Sequence, residues 1–188
     1  MNDTDTTSTD TTTDGTATTM APERRDLLDA LGVHRELLRQ TTAGLTDEQA
    51  RERSTVSDLS VGGIIKHVAH TEADWADFMV NGAPADDIDW SNPDEATLAA
   101  YHAGFRLSDD ETLTEVLAEY ERIAAATDLL VAQIDLDQSF PLPSAPWFPP
   151  GAERSARRTI AHIIAETAQH AGHADIIRES IDGAKSMG

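Results

Sequence analysis

From Pro22 onward, apolar residues recur every three or four positions, which is the spacing of an amphipathic helix. The pattern predicts five helices, which run from Pro22 to a stop at Gly44, from between Ser57 and Ser60 to Asn81, from Asn92 to about Phe105, from Ser108 to about Ile134, and from about Ser155 to Ile181. No segment shows the alternation typical of a strand, and no internal repeat is visible. Four long helices and one short one favour an all-α domain built as a four-helix bundle.

Capping residues at the helix ends support these boundaries. The sequence of residues 92–95 fits an N-cap followed by a first-turn proline and a capping-box glutamate. Ser108 and Glu111 have the spacing of a second capping box, and Gly183 provides a stop signal after the last helix. Residues 141–151 contain five prolines, so a loop is predicted there.

The first 20 residues have a different composition from the rest of the chain. They consist mainly of Thr, Asp and Ser, and lack the basic and apolar blocks of a secretory signal. Such a segment cannot bury a core, so residues 1–20 are expected to be a disordered tail. Residues 21–188 are then expected to form a single bundle domain.

The negative net charge of the chain limits the kinds of molecule that it is expected to bind. The formal net charge is -20, from 34 acidic and 14 basic residues. Such a surface repels phosphate groups, so neither nucleic acid nor an anionic membrane is an expected partner. No stretch approaches the roughly 18 consecutive apolar residues that a membrane span needs, and a cytoplasmic location is the default expectation.

The chain contains no cysteine, which limits its chemistry. Disulfides, catalysis by a protein thiolate, and zinc or iron–sulfur centres held by Cys are excluded. Any bound metal must therefore be held by histidines and carboxylates.

Four candidate ligands share one stripe of the last predicted helix. His162, Glu166, His170 and His173 are spaced by four, four and three residues, which places them on the same side. The apolar stripe of this helix overlaps theirs near His170, so Glu166 and His170 are expected to point into the bundle, with His162 and His173 nearer its rim.

The second predicted helix offers a third ligand. His67 and His70 flank its apolar face, and Asp74 follows His70 by one turn. A carboxylate and an imidazole at positions i and i+4 can share a metal, and a histidine from a facing helix can complete the set. Spacing alone does not decide which histidine does so. Histidines on an apolar edge are more often simply packed, and three protein ligands would leave an open position typical of a catalytic site.

Two segments resemble the DinB-like superfamily of metal-binding four-helix bundles. Residues 60–82 (SVGGIIKHVAHTEADWADFMVNG) resemble its second helix, in which a histidine follows a G-x-x-x-H start. Residues 159–183 resemble its last helix, whose usual run is H-x-x-x-H-x-x-x-H-x-G-Q followed by an apolar stretch and an arginine. The resemblance implies a single metal ion bound by His67, Glu166 and His170.

Two departures from that run refine the comparison. Glu166 replaces the middle histidine, as in the mycothiol-dependent maleylpyruvate isomerase branch, where a His, a Glu and a His hold zinc. His173 replaces the glutamine, and the ending around Gly172 is most similar to an actinobacterial DinB-like branch without an assigned activity. Zinc is the expected metal, with nickel or iron as alternatives.

The resemblance implies a metal-dependent thiol S-transferase. A small thiol such as mycothiol or bacillithiol would bind as thiolate in the open position and attack a small electrophilic substrate. Water in that position would instead make the site a metal-dependent hydrolase, and a non-enzymatic, stress-related metal-binding bundle is a further alternative. Members often pair as homodimers, which this sequence permits.

Other polar and aromatic residues are secondary candidates. His70, His162 and His173 are candidate catalytic residues, and with Asp74 they are candidates to orient the ligands. The alternative for each is a solvated role. Trp147 and Phe148 are candidates to cover the open side of the site, with packing of their loop onto the bundle as the alternative. Arg178 is a candidate to bind a substrate carboxylate, with a position on the surface as the alternative.

Overall fold

The structure is a computed structural model that describes residues 20–84, 88, 90 and 92–186. Almost all of the expected disordered tail, residues 1–19, lies outside the described residues. The elements in chain order are α1 (Pro22–Gln40), α2 (Asp47–Arg51), α3 (Val61–Asn81), α4 (Glu95–Ala103), α5 (Leu113–Gln133), β1 (Ser139–Pro141), β2 (Glu153–Ser155) and α6 (Ala156–Asp182). The predicted all-α architecture is confirmed.

The four long helices α1, α3, α5 and α6 form the bundle. Helix α3 packs on both α5 and α6, and α1 packs on α6 and α5. The bundle has a core at each end, because two separate clusters of buried apolar side chains fill its interior. Ile65, Tyr120 and Ala174 lie in one cluster, and Met79 and Ile160 lie in the other. The contact between α3 and α6 matters most for function, since both carry candidate ligands.

Most of the predicted helix ends agree with the structure. Ser60 caps α3 and Ser155 caps α6, each accepting a hydrogen bond from a backbone N–H three residues on. Gly82 and Gly183 follow these helices with φ of 76° and 79°, a conformation that favours glycine. Helix α1 ends at Gln40, four residues before its predicted stop.

Two predicted helix starts were wrong by a few residues. Helix α4 begins at Glu95, where Asp94 rather than Asn92 provides the capping side chain. Helix α5 begins at Leu113, because Thr112 and Glu115 form the capping box. Ser108 and Glu111 do bind each other, but in a turn before the helix.

A short helix and a small sheet were not predicted. Helix α2 is five residues long, with its own capping box from Thr46 and Gln49. Strands β1 and β2 pair antiparallel, with Phe140 opposite Arg154, and they enclose the proline-rich segment. Three-residue strands are too short for an alternating pattern to reveal them. No helix in the described part of the chain is long and apolar enough to cross a membrane.

Candidate metal centre

His67, Glu166 and His170 converge where α3 packs on α6. Each offers one ligand atom, and these atoms lie within 4.8 Å of one another. His170 Nε2 lies 3.7 Å from a carboxylate oxygen of Glu166, one helical turn away. The His67 and His170 rings meet edge to face with their centroids 4.8 Å apart. The arrangement supplies two imidazoles and one carboxylate.

Gly63 explains how α3 positions His67. A Cβ at Gly63 would overlap the carbonyl oxygen of Phe105 and lie 2.7 Å from its carbonyl carbon. Glycine therefore lets the chain after α4 lie directly against α3, one turn before His67. The Phe105 ring then stacks on the His67 imidazole, with centroids 3.9 Å apart and planes 20° apart. The G-x-x-x-H spacing thus has a steric reason in this protein.

Burial keeps both imidazoles neutral. Burial, followed by the nearby His170 and His70, lowers the pKa of His67 to about 4. The pKa of His170 is also lowered, by burial and then by His173. A neutral imidazole is the form that binds a metal ion, so both histidines are ready ligands at neutral pH.

The donor set fits a divalent cation of the zinc type. Nε2 is the His170 nitrogen that lies beside Glu166, while Nδ1 is buried and has no hydrogen-bond partner among the described residues. Glu166 keeps 29% of its side chain exposed, so the group is open on one side. Many catalytic zinc sites have two imidazoles and one carboxylate as protein ligands and keep a fourth position open.

The sequence model of the mycothiol S-transferase family matches residues 26–183, which is most of the chain. The chain belongs to the mycothiol S-transferase family. The family is part of the DinB-like superfamily, in agreement with the resemblance of the two motif helices. No curated protein matches the chain.

A solved structure shares the fold of this family member. It is described as the conserved protein of a locus from Enterococcus faecalis, and it covers 85% of this chain and 97% of its own. The TM-score is 0.59 and the sequence identity is 16%. At that identity the likeness concerns the fold alone.

The structure divides the secondary candidates into two groups. His162 and His173 flank the ligands: His162 lies 3.7 Å from Glu166, and the His173 ring lies 5.4 Å from that of His170. His70 is exposed and lines a separate cavity of about 400 Å³ between α3 and α5. Asp74 is also exposed and lines a cavity of about 380 Å³ beside Trp75, where burial raises the pKa of its carboxyl.

Arg178 has a structural role in this mycothiol S-transferase family member. Its Nη1 donates to the carbonyl oxygen of Thr41 and its Nε donates to Asp182, both over 2.8 Å. The side chain is buried, which corrects both sequence-based interpretations, because it neither lies on the surface nor has its guanidinium free for a substrate. It ties α6 to the end of α1.

Sequence reasoning missed Arg154, in β2. Its guanidinium carbon lies 4.4 Å from the ring centroid of Trp75 and 5.5 Å from that of Phe148. Trp75 in turn contacts His162 edge to face, with centroids 4.9 Å apart. No spacing rule identifies an arginine in a three-residue strand. The five prolines before it were the one signal that this segment was special.

Proposed function

We propose that this protein is a metal-dependent thiol S-transferase that joins the sulfur of a small thiol to an electrophilic carbon. The observation that carries the proposal is the convergence of His67, Glu166 and His170 in a member of the mycothiol S-transferase family. These three residues would hold one divalent cation, with zinc favoured by the donor set and nickel or iron as alternatives.

The cation would supply Lewis acidity, which keeps a bound thiol deprotonated near neutral pH. Because the chain has no cysteine, the reacting sulfur must come from the small thiol. Mycothiol is the thiol that the family name implies. In the transfer an S–C bond forms and the thiol loses its proton. Either a leaving group departs with its electron pair, or a carbon–carbon double bond takes up a proton.

The protein's own residues would position the reactants. The Phe105 ring stacks on His67 and fixes the orientation of its imidazole. Neutral histidines leave Glu166 as the one negative ligand, so a bound thiolate would complete a neutral set around a divalent ion. Aromatic side chains beside the ligands would keep water away from the reacting sulfur and contact the apolar part of an electrophile.

A conjugation assay tests this function. Mycothiol and monochlorobimane would be incubated with zinc-loaded protein, and the product would be identified by mass spectrometry. We expect a thioether whose formation stops on chelation, returns when zinc is restored, and falls at least about a hundredfold in the Glu166→Gln variant. Glu179→Gln is the matched control, because Glu179 is exposed on the same helix.

The same assay separates the transferase from a hydrolase. Adding a phenyl ester to the zinc-loaded protein would reveal metal-dependent hydrolysis, since water would then occupy the open position. Ester cleavage without any thioether would overturn the transferase proposal in favour of hydrolysis. If the zinc-loaded protein forms neither product, the transferase proposal is also overturned, and the protein is a metal-binding bundle without this chemistry.

A further inference from the structure

The guanidinium of Arg154 is buried and forms no ion pair within the described residues, although the negative charge of Glu166 acts on it. Its residue is 9% exposed, and Nη1 has no hydrogen-bond partner in the described part of the chain. No ion pair joins it to a carboxylate within those residues. Its contacts are the faces of two aromatic rings, Trp75 and Phe148.

The two other buried arginines of the described chain each have a carboxylate partner. Arg35 binds Glu72 and Asp128, and Arg178 binds Asp182 and a backbone carbonyl. Burying a charge without such partners is strongly unfavourable. Arg154 therefore differs from both of these arginines, and its unpartnered Nη1 points to a negatively charged ligand that would complete its contacts.

Arg154 lies next to the candidate metal centre. Trp75 contacts both the guanidinium of Arg154 and the ring of His162, and His162 lies 3.7 Å from Glu166. A molecule of modest size could therefore contact Arg154 and still reach the open side of Glu166.

Aromatic side chains continue from Arg154 around to the other ligand helix. Each ring contacts the next with centroid distances between 5.3 and 6.1 Å, and the series ends on Phe105, which stacks on His67. In order from Arg154 the rings are Phe148, Trp147, Trp90, Tyr101 and Phe105. A flat apolar group would pack well against such a wall, whereas a hydrated sugar would not.

We propose that Arg154 binds the carboxylate of the electrophilic co-substrate, and that this co-substrate is a flat, unsaturated or aromatic carboxylic acid. The inference rests on the proposed S-transfer, because it names the substrate class of that site. Guanidinium binds carboxylate strongly, and Nη1 of Arg154 has no hydrogen-bond partner in the described part of the chain. Trp75 and Phe148 would hold the guanidinium plane while the apolar body of the acid contacts the aromatic wall.

Direct binding tests the arginine without any turnover. Benzoate and its neutral analogue benzamide would be titrated calorimetrically into the full-length protein, once loaded with zinc and once after chelation. We expect benzoate to bind about tenfold or more weakly to Arg154→Gln than to the parent in both states, while benzamide does not distinguish them. Arg158→Gln is the matched control, since Arg158 is an exposed arginine four residues away.

Kinetics test the role in substrate choice. A maleimide bearing a carboxylate, 3-maleimidopropionate, would be compared with N-ethylmaleimide, using mycothiol as the thiol. We expect Arg154→Gln to lower kcat/KM at least about tenfold for the acid, mainly through KM, and less than about twofold for the neutral compound. Circular dichroism would check that the variant keeps its helices.

The outcomes separate this inference from the proposed function. Benzoate that binds Arg154→Gln as tightly as the parent, or fails to bind the parent, would overturn the carboxylate site. Equal losses on both maleimides would overturn it as well. Benzoate binding that depends on Arg154, in a protein that forms no thioether, would instead reject S-transfer and leave an acid-binding site.

Discussion

At the scale of single residues, Glu72 is a fully buried charged residue outside the site. Its side chain is fully buried on α3, where it accepts hydrogen bonds from two nitrogens of Arg35 on α1. Arg35 also reaches Asp128 on α5, over 2.7 Å, but Asp128 is half exposed. A buried charge is tolerated only when it is paired with an opposite charge. The stability of the fold should therefore depend much more on the buried Glu72 than on the half-exposed Asp128.

We expect Glu72→Gln to lower the free energy of unfolding by about 3 kcal/mol, because it leaves Arg35 buried with one partner instead of two. Asp128→Asn should cost about 1 kcal/mol or less, since solvent screens that pair. Urea unfolding of both variants beside the parent measures the two values. Equal costs would contradict the assignment of Glu72 as the dominant partner.

At the scale of elements, two helices carry the candidate site, and the sequence predicts both of them well. The caps Ser60 and Ser155 and the glycines that follow each helix are local signals, and the structure confirms them. The pairing of Glu166 with His170 followed from their spacing on one helix. The choice of His67 over His70 could not follow from periodicity, because both flank the same apolar face; it came from the family resemblance.

The features that were missed depend on contacts distant in sequence. Helix α2 is shorter than two turns, and strands of three residues carry no period that a sequence could reveal. The start of α5 was misplaced because two overlapping capping sequences occur, and only tertiary packing selects Thr112 over Ser108. Arg154 was missed for the same reason, since its role depends on Trp75, 79 residues earlier in the chain.

Gly63→Ala tests how α3 and the segment after α4 fit together. The new methyl group would overlap the Phe105 carbonyl, a backbone group that cannot simply rotate away. We expect a loss of about 2 kcal/mol or more in unfolding free energy, together with weaker metal binding as Phe105 moves off His67. Gly172→Ala is the control, because nothing lies within 4 Å of a Cβ there. Similar effects at both positions would contradict this packing.

Glu111 pairs with Lys66 and so links the turn before α5 to α3. We expect this link to be sensitive to acid. Burial raises the pKa of its carboxyl, but hydrogen bonds from Lys66 and Ser108 outweigh burial and bring the pKa to about 2. Because the folded pKa lies below the ordinary glutamate value of 4.5, the stabilisation is present above about pH 4.5 and is lost as pH falls toward 2.

We therefore expect Glu111→Gln to flatten the loss of unfolding free energy between about pH 4.5 and pH 2. Urea titrations across that range measure the slope. Glu121→Gln, at an exposed site on α5, should leave the slope as it is in the parent. A slope that Glu111→Gln does not change would show that Lys66 and Ser108 do not stabilise the ionised form.

At the scale of the whole molecule, the net charge of -20 acts against compactness. The described ion pairs lie mostly on the surface, and such pairs contribute little individually. Raising NaCl from about 0.1 M to about 1 M shortens the Debye length from about 10 Å to about 3 Å. That change screens the repulsion among the many unpaired carboxylates more than it weakens the few attractive pairs.

We expect the Tm to rise with NaCl over this range, in protein kept free of metal by a chelator so that metal affinity plays no part. Scanning calorimetry at several salt concentrations measures the effect. A Tm that falls with salt would show that attractive pairs, such as those of Arg157 with Glu23 and Asp137, dominate over the net repulsion.

The central claim is that His67, Glu166 and His170 form one metal site. The most direct test is elemental mass spectrometry of tag-free protein, with Glu166→Gln and His170→Ala beside the parent and Glu179→Gln as the control. We predict about one equivalent of a divalent metal, zinc foremost, in the parent and the control, and less than about a tenth of that in the two ligand variants. A parent that binds no metal even after incubation with zinc, or ligand variants that retain it fully, would contradict the account.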